Sequence, residues 1–210
     1  MLLAGHTCGI GSAKILRSFY ERVVTLAYLA DHPEEGQSFM EYSDIHWYKL
    51  IMEQRKAEGK IGLGDDEESK TIVAKYNAIR PRFIQTDCKK CDTKRLQSSW
   101  TKKGLPELAE KVSEDIRRGY FRAFLVPTFY IHTTFFGAAN YFELSKDFGP
   151  TSVQVNIDNE KEQIDTSLSM SHALLLQVAY VFNNHFKLGH EAKLDKHYLN
   201  FVSCWKVPSI

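Results

Sequence analysis

The stretch AFLVPTFYIHTTFFGAANYF, Ala123 to Phe142, decides how the rest of the chain is read. Its 20 residues carry no Asp, Glu, Lys or Arg, in a protein whose residues are 25% charged. Only buried positions keep charge out for so long, so the stretch is expected at the centre of the core. Its length also raises a membrane question, because roughly 20 apolar residues span a bilayer. Pro127, His132, Asn140, three threonines and two tyrosines within it argue against that. The expectation is a buried helix that starts or kinks at Pro127, and no membrane partner.

Outside that stretch the composition is that of an ordinary globular protein. The chain has 210 residues, 43% hydrophobic, with a formal net charge of +1. A near-neutral balance offers no global field for nucleic acid or an acidic bilayer, and leaves local basic patches to do any such work. Cys8, Cys88, Cys91 and Cys204 are too scattered for a disulfide framework. No cationic segment precedes an apolar stretch at the start, so the expected setting is the cytoplasm.

The periodicity is helical nearly throughout. Ile15, Leu16, Phe19, Val23, Leu26, Ala27 and Ala30 recur at steps of three and four, with Ser12 as the expected cap. A second helix is expected from about Glu34 to Ala57, facing inward through Phe39, Ser43, Trp47, Leu50 and Ile51. A short one follows from Asp65 to about Ile79, with its acidic residues at the positive end of the dipole. Pro106 opens a helix through Arg118. Thr166 or Ser167 starts another, and Glu191 to Trp205 makes the last. VQVNID (Val153 to Asp158) alternates as a strand would but has no evident partner, so it reads as extended loop. The fold class is therefore all-α: a single-domain bundle of six to seven helices over residues 1–210. It has a flexible start at 1–11 and long loops at 83–104 and 147–165, where function often sits.

Several residue groups admit a chemical and a structural reading. Arg17, Glu21 and Tyr28 share one face of the first helix. Glu21 facing His132 across the bundle, with Arg17 beside it, would make an acid/base centre. The same residues also suit an internal ion pair and a hydrogen-bonded core histidine. Cys88 and Cys91 form a CxxC without a second ligand pair, so ordinary thiols are the better reading than zinc. His185, His190, Glu191, Asp195 and His197 lack metal-binding spacing and read as a solvated helix. Lys102 and Lys103, among other cations around Trp100, suit phosphate contact and base stacking, or a loop anchored by one tryptophan. No glycine pattern cradles a nucleotide, and no cofactor or metal is called for.

RSFYE (Arg17 to Glu21), SSWTKKGLPELAE (Ser98 to Glu110) and FYIHTTFFG (Phe129 to Gly137), in that order, resemble a bacterial, mostly helical domain-of-unknown-function family. That resemblance implies polar positions at Arg17, Glu21, Trp100 and His132. The family's Tyr-x-x-x-Ser-x-x-x-His pattern falls here on Phe124, Thr128 and His132, departing at the first two. More broadly the chain is similar to HEPN-type helical bundles of prokaryotic toxins and phage-defence effectors, which implies action on RNA. Their ribonuclease signature is an arginine, four to six intervening residues and then a histidine, and no arginine here has a histidine at that spacing. Two functions follow as expectations: a cytoplasmic effector acting on RNA through Arg17, Glu21 and His132, or a non-catalytic module binding a partner protein or a second copy.

Overall fold

A computed structural model describes residues 9–88, 93–131, 142–144, 153–155 and 157–205. It is all-α, with two small antiparallel strand pairs. Contacts divide it into two compact units: residues 1–31 with 105–210, and residues 32–104. No helix among the described residues is long and apolar enough to cross a membrane.

The first unit is built on α1 (Gly9–Asp31). It packs along α7 (Ile157–Phe186), the longest helix, and against α4 (Leu105–Val112) and α6 (Val126–Ile131). Ala13, Leu16, Tyr20, Val23, Val24, Ala27 and Tyr28 of α1 are buried. This inward face is rotated from the one the periodicity proposed: Leu26 is exposed, and Ile15 and Phe19 lie half-buried. The helix is apolar on two sides, and the pattern alone does not say which side finds a partner. Ser12 is not a cap. The helix begins before it, and its hydroxyl donates to Ser167 Oγ on α7 at 3.2 Å.

The expected helix from Pro106 to Arg118 is two, because Ser113 interrupts it. Ser113 caps α5 (Glu114–Tyr120), its Oγ accepting from Ile116 N at 3.1 Å. A single π-turn, Phe121–Leu125, then carries the chain into α6. Pro127 explains the wider turn: it has no N–H for the Ala123 carbonyl, and its ring crowds that carbonyl in an ordinary α-turn. Val126 N–H donates instead to Phe121 O. The start of the uncharged run is thus buried helix, with Ala123 and Pro127 inside.

Its last residue, Phe142, belongs to a different element. Phe142–Leu144 is a strand, β3, paired antiparallel with β4, Val153–Val155. VQV therefore has a partner, hidden in the sequence because that partner starts on the last residue of a run read as helix. The 147–165 connection is also shorter than expected, since α7 begins at Ile157. Glu160, Lys161, Glu162 and Gln163 are good helix formers that carry no apolar stripe to reveal them. A last helix, α8 (Glu191–Trp205), follows a turn in which Lys187 and Gly189 adopt positive φ of 52° and 69°.

In the second unit a 3-10 turn, Pro33–Glu35, leads into α2 (Gly36–Ala57), and α3 (Glu67–Ile79) follows. Asp66 caps α3, accepting from Ser69 N at 2.8 Å. The inward face of α2 is Tyr42 and Ile45, while Trp47 and Leu50 are exposed, contrary to the sequence reading. The reason is the hairpin of β1 (Ile84–Cys88) and β2 (Thr93–Leu96), in a segment expected to be irregular loop. Tyr42, Ile45 and Phe83 form a core with Tyr76, Ile79, Leu96 and Trp100 around it. The Tyr42 hydroxyl donates to Gln97 O at 2.6 Å, so this tyrosine needs to face the hairpin.

Candidate functional site

The polar centre proposed by the sequence is present on α1 in part. Arg17 Nη2 lies 3.2 Å from Glu21 Oε1, one helical turn away, with side chains 31% and 40% exposed. The pair is thus half-buried, not enclosed. Arg17 Nε donates to Thr128 Oγ1 on α6 at 3.0 Å, and Thr128 passes its own proton to Phe124 O at 2.6 Å. The guanidinium carbon sits 4.6 Å from the centre of the Phe124 ring, a cation–π arrangement. Arg17 is therefore held from three sides: Glu21 on its own helix, Thr128 on the next, and the Phe124 face. A guanidinium has five N–H donors, and Glu21 and Thr128 engage two of them.

His132 lies outside the described residues, as do Cys8 and Cys91 and the side chain of Cys88. Tyr28 is buried in the α1 core. Trp100, Lys102 and Lys103 belong to the other unit. Trp100 is half-buried with its ring edge-on to Phe39 at 5.5 Å. Lys103 Nζ bonds Glu35 Oε1 at 2.8 Å, and Lys102 is exposed. His185, His190, Glu191, Asp195 and His197 are all exposed, and no group of three metal-capable side chains forms among the described residues.

The structure adds residues that the sequence did not single out. Where α1, α6 and α7 meet there is a cavity of about 460 Å³, with Ala13 and Leu16 in its wall. Its polar lining comes from Arg122, Tyr130, Glu162, Gln163, Thr166 and Ser167. Burial first, and the Glu162 carboxylate second, make the Tyr130 phenol harder to ionise than usual. A cation, an acid and a phenol thus share one cavity beside the Arg17 helix turn. Sequence reasoning missed them because Tyr130 lies in an apparently apolar run, Arg122 just before it, and Glu162 in a segment read as loop.

A protein family described as a family of unknown function, DUF5677, matches residues 1–150. The chain belongs to that family. No curated protein and no solved structure matches it. The DUF5677 match takes in Arg17, Glu21, Phe124, Thr128 and His132. It ends before α7, so Glu162 and Ser167 lie beyond the DUF5677 residues.

Proposed function

We propose that this protein is a toxin- or phage-defence-type effector that acts on RNA, with Arg17 receiving a phosphate and Glu21 and His132 as its acid and base. The observation that supports this reading is Arg17 itself. Its guanidinium is fixed in orientation by Thr128 and Phe124, yet stays half-exposed with N–H donors left over for an anion. A phosphate so held would sit next to the Glu21 carboxylate. In cleavage without a metal, one group takes the proton of the ribose 2′-hydroxyl as it attacks phosphorus, and the other protonates the departing 5′-oxygen.

A second reading has an observation of its own. The same three contacts make Arg17 a clamp between α1 and α6, which a non-catalytic binding or dimerisation module would also need. Alanine at Glu21 and at His132 separates the two. Under the RNA reading both variants lose RNA cleavage, and growth inhibition on expression, by at least about a hundredfold, the usual scale of an acid–base contribution. Their melting temperatures stay near that of the parent. Large losses of stability in the variants, with no RNA cleavage by the parent, would favour the clamp.

A further inference from the structure

A second concavity lies on the other side of α1, between α1, α7 and α8, with a volume of about 840 Å³. Ile15, Phe19, Leu168, Leu175 and Trp205 give it an apolar wall. These include the very residues of α1 whose apolar periodicity the core does not use. Its polar groups are all capable of donating: Lys14, Arg22, Ser18, Ser171 and His172. The Trp205 indole N–H donates to His172 Nδ1 at 3.2 Å, which leaves Nε2 of a neutral ring as an N–H donor. Among the described residues no carboxylate lines the groove, and neither Lys14 nor Arg22 is ion-paired.

One further observation points to a ligand. Ser171 is 6% exposed, and its hydroxyl has no hydrogen-bond partner among the described residues. A buried hydroxyl left unpaired costs about 1–3 kcal/mol, so proteins rarely carry one without use for it. The neighbouring turn of the same helix shows the contrast, where Ser167 is paired with Ser12.

We infer that this groove binds an amphipathic carboxylate of fatty-acid type as a free monomer. The alkyl chain lies on the Phe19, Leu168 and Leu175 wall, and the carboxylate is received by Ser171 and the Lys14 and Arg22 cations. An apolar wall with a few donors of one polarity suits a ligand with an apolar body and an anionic end. Nothing in this assignment draws on the Arg17 site.

Calorimetric titration of octanoate, decanoate and decanol into the full-length protein, below micelle-forming concentrations, tests it. Decanoate is expected to bind one site. Affinity should rise by up to about fourfold per methylene from octanoate to decanoate, and decanol should bind at least about tenfold more weakly. Leu175 is 58% exposed, so Leu175→Glu should leave the fold intact while abolishing binding. Ser171→Ala has a double signature that simple packing would not produce: affinity for decanoate falls about tenfold, while the ligand-free protein melts at a higher temperature. Lys14→Glu with Arg22→Glu should weaken decanoate but not decanol. Equal affinity for decanol and decanoate overturns the proposal, as does a Ser171→Ala variant that keeps full affinity. It is also overturned if Leu175→Glu turns a dimer into a monomer by light scattering, since a second copy then covers the groove. Sedimentation with phosphatidylglycerol vesicles without binding of monomeric decanoate overturns it in favour of a membrane surface.

Discussion

Single side chains in this protein are asked to hold helices together, and Tyr20 shows how tightly. Fully buried on α1, it donates its phenolic proton to Ile116 O at 2.7 Å, in contact range of the Tyr120 and Phe124 rings. Burial above all, and then Tyr120, push its pKa well above the ordinary 10.0. A folded-state pKa above the unfolded one means that the stabilisation is complete below about pH 10 and is lost as the pH rises beyond it. Urea unfolding from pH 8 to 11 should therefore show a steeper alkaline loss in the parent than in Tyr20→Phe, which has no phenol to ionise. Equal slopes would mean the ring is not sealed from water. The Arg17 cluster lives at the same scale, and only its i, i+4 half was legible in the chain. Arg17 and Glu21 are one turn apart by spacing alone, whereas Thr128 stands 111 residues away and its hydroxyl looks like any other in an apolar run. Polar partners across a bundle leave no periodic mark.

At the scale of elements, the helices were readable and their faces less so. Three- and four-residue steps predict α1, α2, α3 and α8 close to where they lie. The steps do not choose between Leu26 and Val24 on α1, or between Trp47 and Tyr42 on α2, because both sides of each helix carry apolar residues. In each case the inward side is the one whose tyrosine finds a carbonyl, Ile116 for Tyr20 and Gln97 for Tyr42. The hairpin of β1 and β2 escaped because its strands, IQTDC and TKRL, are mostly polar, and strand pairing is a backbone affair. At the turn between α7 and α8, Asn183 makes two side-chain hydrogen bonds. Asn183 is buried, donates from Nδ2 to Glu191 Oε1 at 2.9 Å, and accepts at Oδ1 from His190 N at 2.8 Å. It ties down the start of α8 from the neighbouring helix. Asn183→Ala should cost about 1–3 kcal/mol, the range for removing a buried hydrogen-bonding group. Denaturant titration measures that loss, and a value below about half a kcal/mol would show that α8 is held by its other contacts to α7.

For the whole molecule, the fold class was legible and the allocation of the core was not. Among the described residues of the 32–104 unit, the buried ones are few: Tyr42, Ile45, Ile72 and Phe83, with Ser69 and Gln97. A core of that size, below roughly 80 residues, rarely supplies more than about 3–5 kcal/mol. A fragment of residues 32–104 should therefore be helical by circular dichroism but melt broadly and well below the full-length chain. A sharp transition as high as that of the full chain would show that this unit carries its own stability. The π-turn at Phe121–Leu125 bears on the molecule in another way. A π-turn is an α-helix with one residue too many, and one residue is worth about 100° of rotation about the axis. Whatever follows it is phased by that surplus. With one residue fewer between 121 and 125 the turn would have to close as ordinary α-helix, which Pro127 resists, so the chain would break or shift at the start of α6 and carry Thr128 away from Arg17. The chain can thus tolerate many changes of residue type in this turn, and hardly any change in their number.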